Sequence, residues 1–421
     1  MTAERSEPPR QMRMESSPVQ IVKNVVSSRT ARIGAIVAIG GALAGCAQDA
    51  PQDTWDPAGP SAQQIHNLQW PVFLVAGIVG VAVLSVLGFI FVRYRDKGQP
   101  IPEQTHGKPA LEIALTILPA LIMVGVAVPT VGTLFALNDF DDTECVVNVT
   151  GQQWWWEIDY PAQDGCGGIE SPIVTSGQMV IPTNTAIVAQ VTSRDVIHSW
   201  WIPRLNGKKD AVPGRVHQIK MEADEPGIYA GQCAEFCGLS HANMRMEVVA
   251  LDPDDFATWR DGQLSAYESP TDELAAAGES TFIAQCARCH QVDGLTDAAG
   301  EPIISRPDEN VYAGAAPNLT HLMSRNTFAG AMFDLLDGEC RPAVWDAPPA
   351  EFGERYLAGV DAECLNEPEL RSWLRNAPVM KPMYTDPEKL EPTDGKPRGM
   401  PYLALSEEQI DELIAYLLDR Q

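Results

Sequence analysis

The sequence predicts a multidomain membrane protein in which a two-helix transmembrane hairpin precedes an all-β domain and an all-α domain. Two long apolar stretches without charge lie in the N-terminal third of the chain. Short runs of alternating apolar and polar residues follow, which is typical of antiparallel strands. The last third returns to apolar residues at helical spacing. A chain of 421 residues is also too long for one average domain.

The charge balance limits the partners that the protein can bind. Lys and Arg total 30 against 56 Asp and Glu, which gives a formal net charge of -26. Nucleic-acid binding is excluded, because it needs a basic surface that displaces counterions from phosphate. An acidic surface suits a basic protein partner, or it keeps the protein soluble.

The N-terminus, residues 1–45, is predicted to be a signal peptide. A polar, basic stretch precedes an apolar run from Ile33 to Ala44, which is short of the ~20 residues that cross a bilayer as a helix. A cysteine directly after Leu-Ala-Gly resembles a bacterial lipoprotein lipobox. The resemblance implies cleavage before Cys46 and lipidation of its thiol. The alternative is an ordinary signal with an accidental cysteine.

The transmembrane hairpin is predicted over residues 70–138, with helices at about 70–92 and 113–137. Each apolar stretch is long enough to span a bilayer with some tilt. Basic residues between the helices mark the cytoplasmic side. Both ends of the hairpin, including the segment 46–69, therefore face outward. We expect a bacterial plasma-membrane protein with its later domains on the extracytoplasmic side.

Three further segments follow the hairpin. Residues 139–252 carry the alternating pattern of the all-β domain. The acidic stretch 253–272 is predicted to be a linker that ends in a helix. Residues 273–421 form the all-α domain, whose last helix begins with a capping box of Ser406 and Gln409.

A cluster of metal-binding side chains lies in the all-β domain. Two thiols, an imidazole and a thioether fall within twelve residues, at Cys233, Cys237, His241 and Met244. This set suits copper, whereas a zinc finger would place its second ligand pair well downstream. His198, at a predicted strand end, is the candidate second imidazole. A Cys233–Cys237 disulfide is the structural alternative, but it leaves the nearby His and Met without a purpose.

A second metal motif opens the all-α domain. The spacing Cys286-Ala-Arg-Cys289-His290 is that of covalent c-type haem attachment. Two thiols on one helical turn meet the two vinyl groups, and the next imidazole reaches the iron. The competing interpretations are a disulfide and a thioredoxin-like redox pair, although no βαβ pattern surrounds the motif.

Residues 195–247 resemble the binuclear copper (CuA) domain of cytochrome c oxidase subunit II, which implies a cupredoxin-like fold. In that family both thiolates bridge two copper ions. The resemblance therefore implies that Cys233 and Cys237 bridge, while His198 and His241 each bind one copper.

The resemblance also implies weaker ligands and a second metal ion. Met244 and the backbone carbonyl of Glu235 would be the axial copper ligands. The side chain of Glu235 would point the other way, toward a Mg²⁺ at the interface with subunit I.

Two segments upstream extend the resemblance. Residues 151–156 resemble the family's aromatic stretch, in which Trp154 would be the electron entry point, although an aromatic strand face is more often core. Glu112 begins a segment that resembles the start of the family's second membrane helix. It would lie at the mouth of a proton channel into subunit I, and the alternative is a snorkelling carboxylate at the cytoplasmic interface.

The haem iron needs a sixth ligand for electron transfer, commonly Met. Met380, Met383 and Met400 compete for this role. The segment beginning at Arg398 resembles the family's Met-Pro followed by the final helix, which favours Met400. His321, in a segment that resembles a haem edge, is expected to be a propionate or surface contact.

Four cysteines remain outside the motifs and the signal. Cys340 and Cys364 lie in an acidic insertion, residues 334–369, that departs from the family's compact pattern. Disulfides between these two, and between Cys145 and Cys166, are plausible in an oxidising compartment. Spacing alone does not derive either pairing.

The combined motifs resemble subunit II of a caa-type oxidase, with a fused C-terminal cytochrome c domain. This implies an electron relay from a donor through haem c and CuA to subunit I, where oxygen is reduced to water with proton pumping. Subunits I and III and either cytochrome c or a cytochrome bc complex are the expected partners. The chain would be the non-catalytic electron-entry subunit of the enzyme.

Two alternatives stay open. One is the CuA and haem c subunit of another terminal reductase, for nitrous oxide or nitric oxide, although Glu112 and Glu235 favour an oxygen-reducing partner. The other is a membrane-anchored electron carrier, which has little use for two spanning helices. Quinol oxidases share the fold but lose the copper ligands, all of which are present here.

Overall fold

The computed structural model describes residues 34, 36, 40, 50–98, 103, 106–265, 267–296, 300–303, 315–385 and 398–420. The chain divides into two compact units, Met1–Ala50 and Pro51–Gln421. Cys46 and nearly all of the predicted signal peptide lie outside the described residues. The architecture below is that of the second unit.

Two helices long and apolar enough to cross a membrane confirm the predicted hairpin. They are α1, Pro60–Arg93, and α2, Pro109–Leu137, with mean hydropathies of 2.7 and 2.4 over their most apolar windows. Helix α1 begins before the predicted membrane stretch, because its first turn is held against the all-β domain. There the backbone N–H of Ala62 donates to the carbonyl of Leu205 at 3.1 Å.

The all-β domain is a two-sheet structure. Its strands among the described residues are β1 Cys145–Gln152, β2 Trp155–Tyr160, β3 Ile173–Ser176, β4 Gln178–Pro182, β5 Ile187–Ser193, β6 His198–Trp201, β7 Lys208–Ala211, β8 His217–Met221, β9 Gly227–Gln232 and β10 Arg245–Leu251. One sheet has the order β3-β2-β1-β5-β8, the other β4-β10-β9, and β6 and β7 form a separate hairpin. Strand β1 lies parallel to β5 and antiparallel to β2.

Alternating burial along the strands builds the core of this domain. In β1 the side chains of Cys145, Val147 and Val149 point inward, while the residues between them are half-buried. This is the period of two expected when one face of a strand is covered. Apolar burial of this kind contributes about 25 cal/mol per Å². Cys145 also forms a disulfide with Cys166.

The segment predicted to be a linker begins with a structured helix. Helix α3, Pro253–Gln263, buries Phe256 and Trp259 against the all-β domain. The ring centroids of Trp259 and Tyr160 are 5.4 Å apart. The sequence pattern of this stretch is acidic, but its two aromatic residues fall on the face that packs. The residues after the helix are also in contact with the all-α domain, where Arg420 lies over the ring of Tyr267.

The all-α domain pairs its first and last helices. Its elements are α4 Glu273–Gln285, α5 Cys340–Trp345, α6 Pro349–Leu357, α7 Glu367–Met380 and α8 Glu407–Leu418, with a short hairpin of β11 Thr327–Phe328 and β12 Phe333–Asp334. The predicted capping box at Ser406 and Gln409 is present. Helices α4 and α8 approach so closely that a Cβ at Gly278 would lie 2.0 Å from the carbonyl oxygen of Glu412.

The acidic insertion braces the two domains against each other. A disulfide joins Cys340 and Cys364. Helix α6 of the insertion packs on helix α3, where a Cβ at Gly353 would lie 1.8 Å from Asp255 Oδ2. The insertion therefore fixes the orientation of the all-α domain on the all-β domain.

A buried carboxyl group lies where the two domains meet. Gln178 Nε2 donates to Glu247 Oε2 at 2.6 Å, and the backbone N–H of Asn326, from the other domain, donates to Gln178 Oε1 at 3.1 Å. Burial raises the pKa of Glu247 to about 7, although the hydrogen bond from Gln178 opposes this shift.

This carboxyl group makes stability depend on pH. The folded state keeps the Glu247 proton between the ordinary pKa of 4.5 and about 7, where the unfolded state loses it. The contribution of Glu247 to stability is therefore fully present below pH 4.5 and is lost as pH rises toward 7, by about 1–3 kcal/mol. Glu247→Gln should remove this fall, while the exposed control Glu170→Gln should keep it. Thermal unfolding of the detergent-solubilised protein measures it, and identical slopes for wild type and Glu247→Gln would contradict the argument.

Candidate copper and haem sites

The copper-binding candidates come together at one end of the β sandwich. His198 is the first residue of β6, and Cys233 directly follows β9. The loop from Cys233 to Met244 connects β9 to β10 and closes on itself, because the N–H of Cys233 donates to the carbonyl of Met244 at 2.9 Å. Adjacent strands thus hold both ends of a short loop.

Each thiol has one imidazole beside it. Cys233 Sγ lies 3.9 Å from His198 Nδ1, and Cys237 Sγ lies 3.5 Å from His241 Nδ1. The two sulfurs are 3.8 Å apart, well beyond the ~2.05 Å of a disulfide bond. The alternative of a Cys233–Cys237 disulfide is therefore wrong in this structure.

Each thiol also has one weaker donor. The carbonyl oxygen of Glu235 lies 3.3 Å from Cys233 Sγ, and Met244 Sδ lies 3.8 Å from Cys237 Sγ. The four other predicted donors thus surround the buried pair of cysteine sulfurs. Soft sulfur with imidazole is the donor set that copper prefers, so the residues fit a pair of copper ions. The ligand atoms of His198, Cys233 and Cys237 all lie within 4.8 Å of one another.

A carboxylate orients the first imidazole. Asp195 Oδ1 lies 2.8 Å from His198 Nε2, which leaves Nδ1 directed at the thiol. Burial opposes the charge on His198, but its hydrogen bonds to Asp195 and Cys233 outweigh it and raise the pKa of the imidazole. Burial likewise acts on Asp195, where hydrogen bonds from His198 and the N–H of Gln153 prevail and lower the pKa. Asp195 was not among the residues predicted from the sequence, although its position three residues before a candidate ligand is a signal for an orienting carboxylate.

Trp154 is buried and contacts the loop Cys233–Met244, which we call the copper loop. Its indole Nε1 donates to the carbonyl oxygen of Cys237 at 3.1 Å. The side chain is only 2% exposed, because the all-α domain covers it with Tyr384 and Lys381. A separate donor protein therefore has no direct access to Trp154, whereas the fused domain touches it.

The haem motif follows helix α4 as one helical turn. The N–H groups of Cys289 and His290 both donate to the carbonyl of Cys286, at 3.0 and 2.9 Å. Both thiols are free. His290 Nδ1 lies 2.7 Å from the carbonyl oxygen of Pro317, which leaves Nε2 for a metal. The residues fit a covalent haem with one imidazole ligand.

The chemistry of these thiols disfavours the competing interpretations. The disulfide is absent between Cys286 and Cys289, both of which lie in the described chain. A thioredoxin-like pair needs a thiol of lowered pKa. Burial instead raises the pKa of Cys286 to about 12 and that of Cys289 above its ordinary value.

Two of the three Met candidates lie on adjoining segments. Met380 ends helix α7. A backbone bridge joins Tyr384 to Arg398, and a Cβ at Gly399 would lie 2.3 Å from Met383 Sδ. Met383 and Met400 are therefore carried by adjoining segments, and the selection of Met400 stays a prediction.

The structure places two further predicted residues, Glu112 and His321, but does not test their roles. Glu112 lies in the exposed first turn of α2, where its carbonyl accepts from Thr116 at 2.8 Å. His321 precedes the short turn Leu322–Ser324. The proton role of Glu112 and the Mg²⁺ role of Glu235 stay predictions.

A membrane hairpin followed by a cupredoxin-like domain with a CuA-type donor set defines a copper-containing electron-transfer membrane protein. A family model described as "Cytochrome C oxidase subunit II, periplasmic domain" matches residues 145–251, and one described as its transmembrane domain matches residues 48–132. The chain belongs to the cytochrome c oxidase subunit II family. It is accordingly a membrane subunit of an oxidase complex that also contains subunit I.

Individual relatives agree with this family. Cytochrome c oxidase subunit 2 of Alkalihalophilus pseudofirmus is 37% identical over 286 residues, which are 66% of this chain and 81% of the relative. Cytochrome c oxidase subunit 2 of a Bacillus species is 31% identical over 399 residues, which are 89% of this chain and 93% of the relative. That alignment extends past residue 251, so the all-α domain has a counterpart there.

A solved structure resembles part of the chain. It is the periplasmic domain of subunit II of cytochrome oxidase of Bradyrhizobium japonicum, which is 32% identical, with a TM-score of 0.26. The similarity covers 29% of this chain and 95% of that domain.

Loss of the orienting carboxylate should weaken copper binding. Asp195→Asn removes the charge that holds His198 and should lower copper affinity by about 10- to 100-fold, as is typical for outer-shell partners. Copper content after dialysis against a chelator, with EPR of the bound copper, measures the effect. Asp159→Asn, on strand β2 away from the loop, is the matched control. Equal copper retention in both variants would show that Asp195 does not support the site.

Proposed function

We propose that this chain is the electron-entry subunit of a caa-type cytochrome c oxidase, with a covalent haem c and a CuA pair. Electrons would pass from a donor to the haem domain, then to the copper loop, and on to subunit I for reduction of oxygen coupled to proton pumping. The observation that carries the proposal is the direct contact of the domain that bears Cys286, Cys289 and His290 with the copper loop.

The residues of the copper loop suit one-electron transfer. Cys233 and Cys237 would bridge two copper ions, which supply a shared one-electron redox centre. Because the donors are buried and fixed by strands on both sides, little rearrangement would accompany a change in charge. Glu235 would contribute its carbonyl to one copper and its side chain to Mg²⁺.

Exposed apolar side chains in and beside the copper loop support docking of this domain onto subunit I. Phe236 is 76% exposed and lies between the two thiols, and Leu239 and Ile197 are also exposed. An apolar patch of this kind outside the membrane marks a protein interface.

The electron donor would reach the haem domain rather than Trp154. The acidic net charge of -26 suits a basic soluble cytochrome c, and direct transfer from a cytochrome bc complex is equally compatible. We further propose that Cys46 carries a lipid anchor on the outer leaflet, and that subunit III completes the complex.

Metal and haem analysis tests the relay. The purified full-length protein should contain one covalent haem, seen in a pyridine haemochrome spectrum, and two coppers with one delocalised spin in EPR. Cys237→Ser should abolish the paired-copper signal while the haem spectrum stays unchanged, because the two sites use separate residues. A wild-type protein with haem but without paired copper would contradict the proposal.

The sixth haem ligand can be assigned by substitution. Met400→Leu should remove the thioether ligand from the iron. The haem should then change from low spin to high spin, and its reduction potential should fall. Met383→Leu and Met380→Leu are matched controls that should leave both properties unchanged. Optical spectra and redox titration measure them, and a response confined to Met383→Leu would transfer the assignment to that residue.

Lipidation of Cys46 can be tested separately from attachment of the protein to the membrane. Cys46→Ser should abolish incorporation of labelled fatty acid, while the protein stays in the membrane fraction because both spanning helices remain. Cys340→Ser is the control for loss of an unrelated cysteine. Continued labelling of Cys46→Ser would place the lipid elsewhere.

A further inference from the structure

The covering of Trp154 by the all-α domain is a specific contact. Tyr384 packs against the indole with ring centroids 5.0 Å apart. A Cβ placed on Gly238, the residue after Cys237, would lie 3.2 Å from Tyr384 Oη and 3.5 Å from Trp154 Cζ2. Tyr384 therefore packs on the indole, and its hydroxyl lies beside Gly238 of the copper loop with no room for a side chain between them.

The same tyrosine is joined to the segment of the predicted haem ligand. The N–H of Arg398 donates to the carbonyl of Tyr384 at 2.8 Å. Arg398 lies two residues before Met400 in the sequence. One hydrogen bond and two residues thus separate the Tyr384 backbone from the candidate iron ligand.

Polar contacts hold this segment in place. Lys381 is buried, and its Nζ donates to the carbonyl oxygens of Trp154 and Ala329 at 2.8 and 2.7 Å. Arg398 Nε lies 3.6 Å from Asp195 Oδ2, on the carboxylate that orients His198. The hydroxyl of Ser240, in the copper loop, donates to the carbonyl of Pro382. These bonds fix the Tyr384 ring rather than leave it to a transient encounter.

We propose that Tyr384 is the contact through which electrons pass from the haem domain to the copper loop. The inference rests on the proposed function. When both groups are bound, the ferrous haem would give up one electron and become ferric, and the oxidised copper pair would accept that electron. Tyr384 and Trp154 are not themselves oxidised, so no bond forms or breaks and no proton moves. Tyr384 is a positioning residue that shortens the gap the electron crosses.

The test uses the assembled oxidase and measures transfer between the two sites directly. Flash photoreduction of the haem, followed by near-infrared absorption of the copper, gives the rate. Tyr384→Leu should slow it about tenfold, because the ring contact with Trp154 is replaced by a gap. Tyr384→Phe keeps the ring and should stay near the wild-type rate. Tyr402→Leu, which alters an exposed tyrosine near Met400, is the matched control and should have no effect.

A second readout does not depend on turnover. Hydrogen–deuterium exchange of the peptide around Trp154 should rise in Tyr384→Leu but not in Tyr384→Phe, because the cover over the indole is loosened. Haem and copper spectra and both reduction potentials should stay unchanged in all variants. If Tyr384→Leu fails to assemble, Tyr384→Met fills similar volume without a ring and takes its place.

The outcomes separate the inference from the proposed function. An unchanged transfer rate and unchanged exchange in the ring-less variant, with both sites spectroscopically intact, overturn the role of Tyr384 and leave the relay standing. A wild-type oxidase that lacks covalent haem or paired copper overturns the proposed function itself.

Discussion

The predicted copper site depends on one constraint, which is the close approach of the buried thiols of Cys233 and Cys237. Two thiolates 3.8 Å apart would repel strongly in a buried site, so the pair is suited to bridging cations. The fold holds the sulfurs there by anchoring their loop between two paired strands. His198 comes from a different hairpin, which makes the site a product of the whole β sandwich rather than of the loop.

The second domain is fitted onto this site and not merely attached by a tether. Helix α3 and the insertion pack together. Lys381 donates to the carbonyl of Trp154, and Arg398 pairs with Asp195, the carboxylate that orients His198. The buried network of Gln178, Glu247 and Asn326 adds a further connection between the domains. If both domains carry the proposed redox groups, a fixed distance between them would make electron transfer independent of diffusion.

Burial of Trp154 changes how the family resemblance applies to this chain. The resemblance implies an electron entry point at this residue, and the structure keeps its hydrogen bond to the copper loop. Its accessible face is occupied by Tyr384 from the same chain. Under the proposed function, electrons would therefore reach Trp154 from within the chain, and an external donor would interact with the domain that carries the haem motif.

The sequence by itself determined the features that depend on local spacing. The membrane helices follow from uninterrupted apolar length, the capping box from Ser406 and Gln409, and the cysteine-rich motifs from ligands close together in the chain. Even the distant His198 could be predicted, because the choice of imidazoles was small.

Only the tertiary structure decided which distant groups meet. The pairings Cys145–Cys166 and Cys340–Cys364, the packing of the predicted linker as a helix, and the contacts of Asp195 and Tyr384 depend on loops folding back across many residues. Contacts of this kind join residues that are far apart in the chain. They produce no repeating local pattern, so the sequence alone does not reveal them.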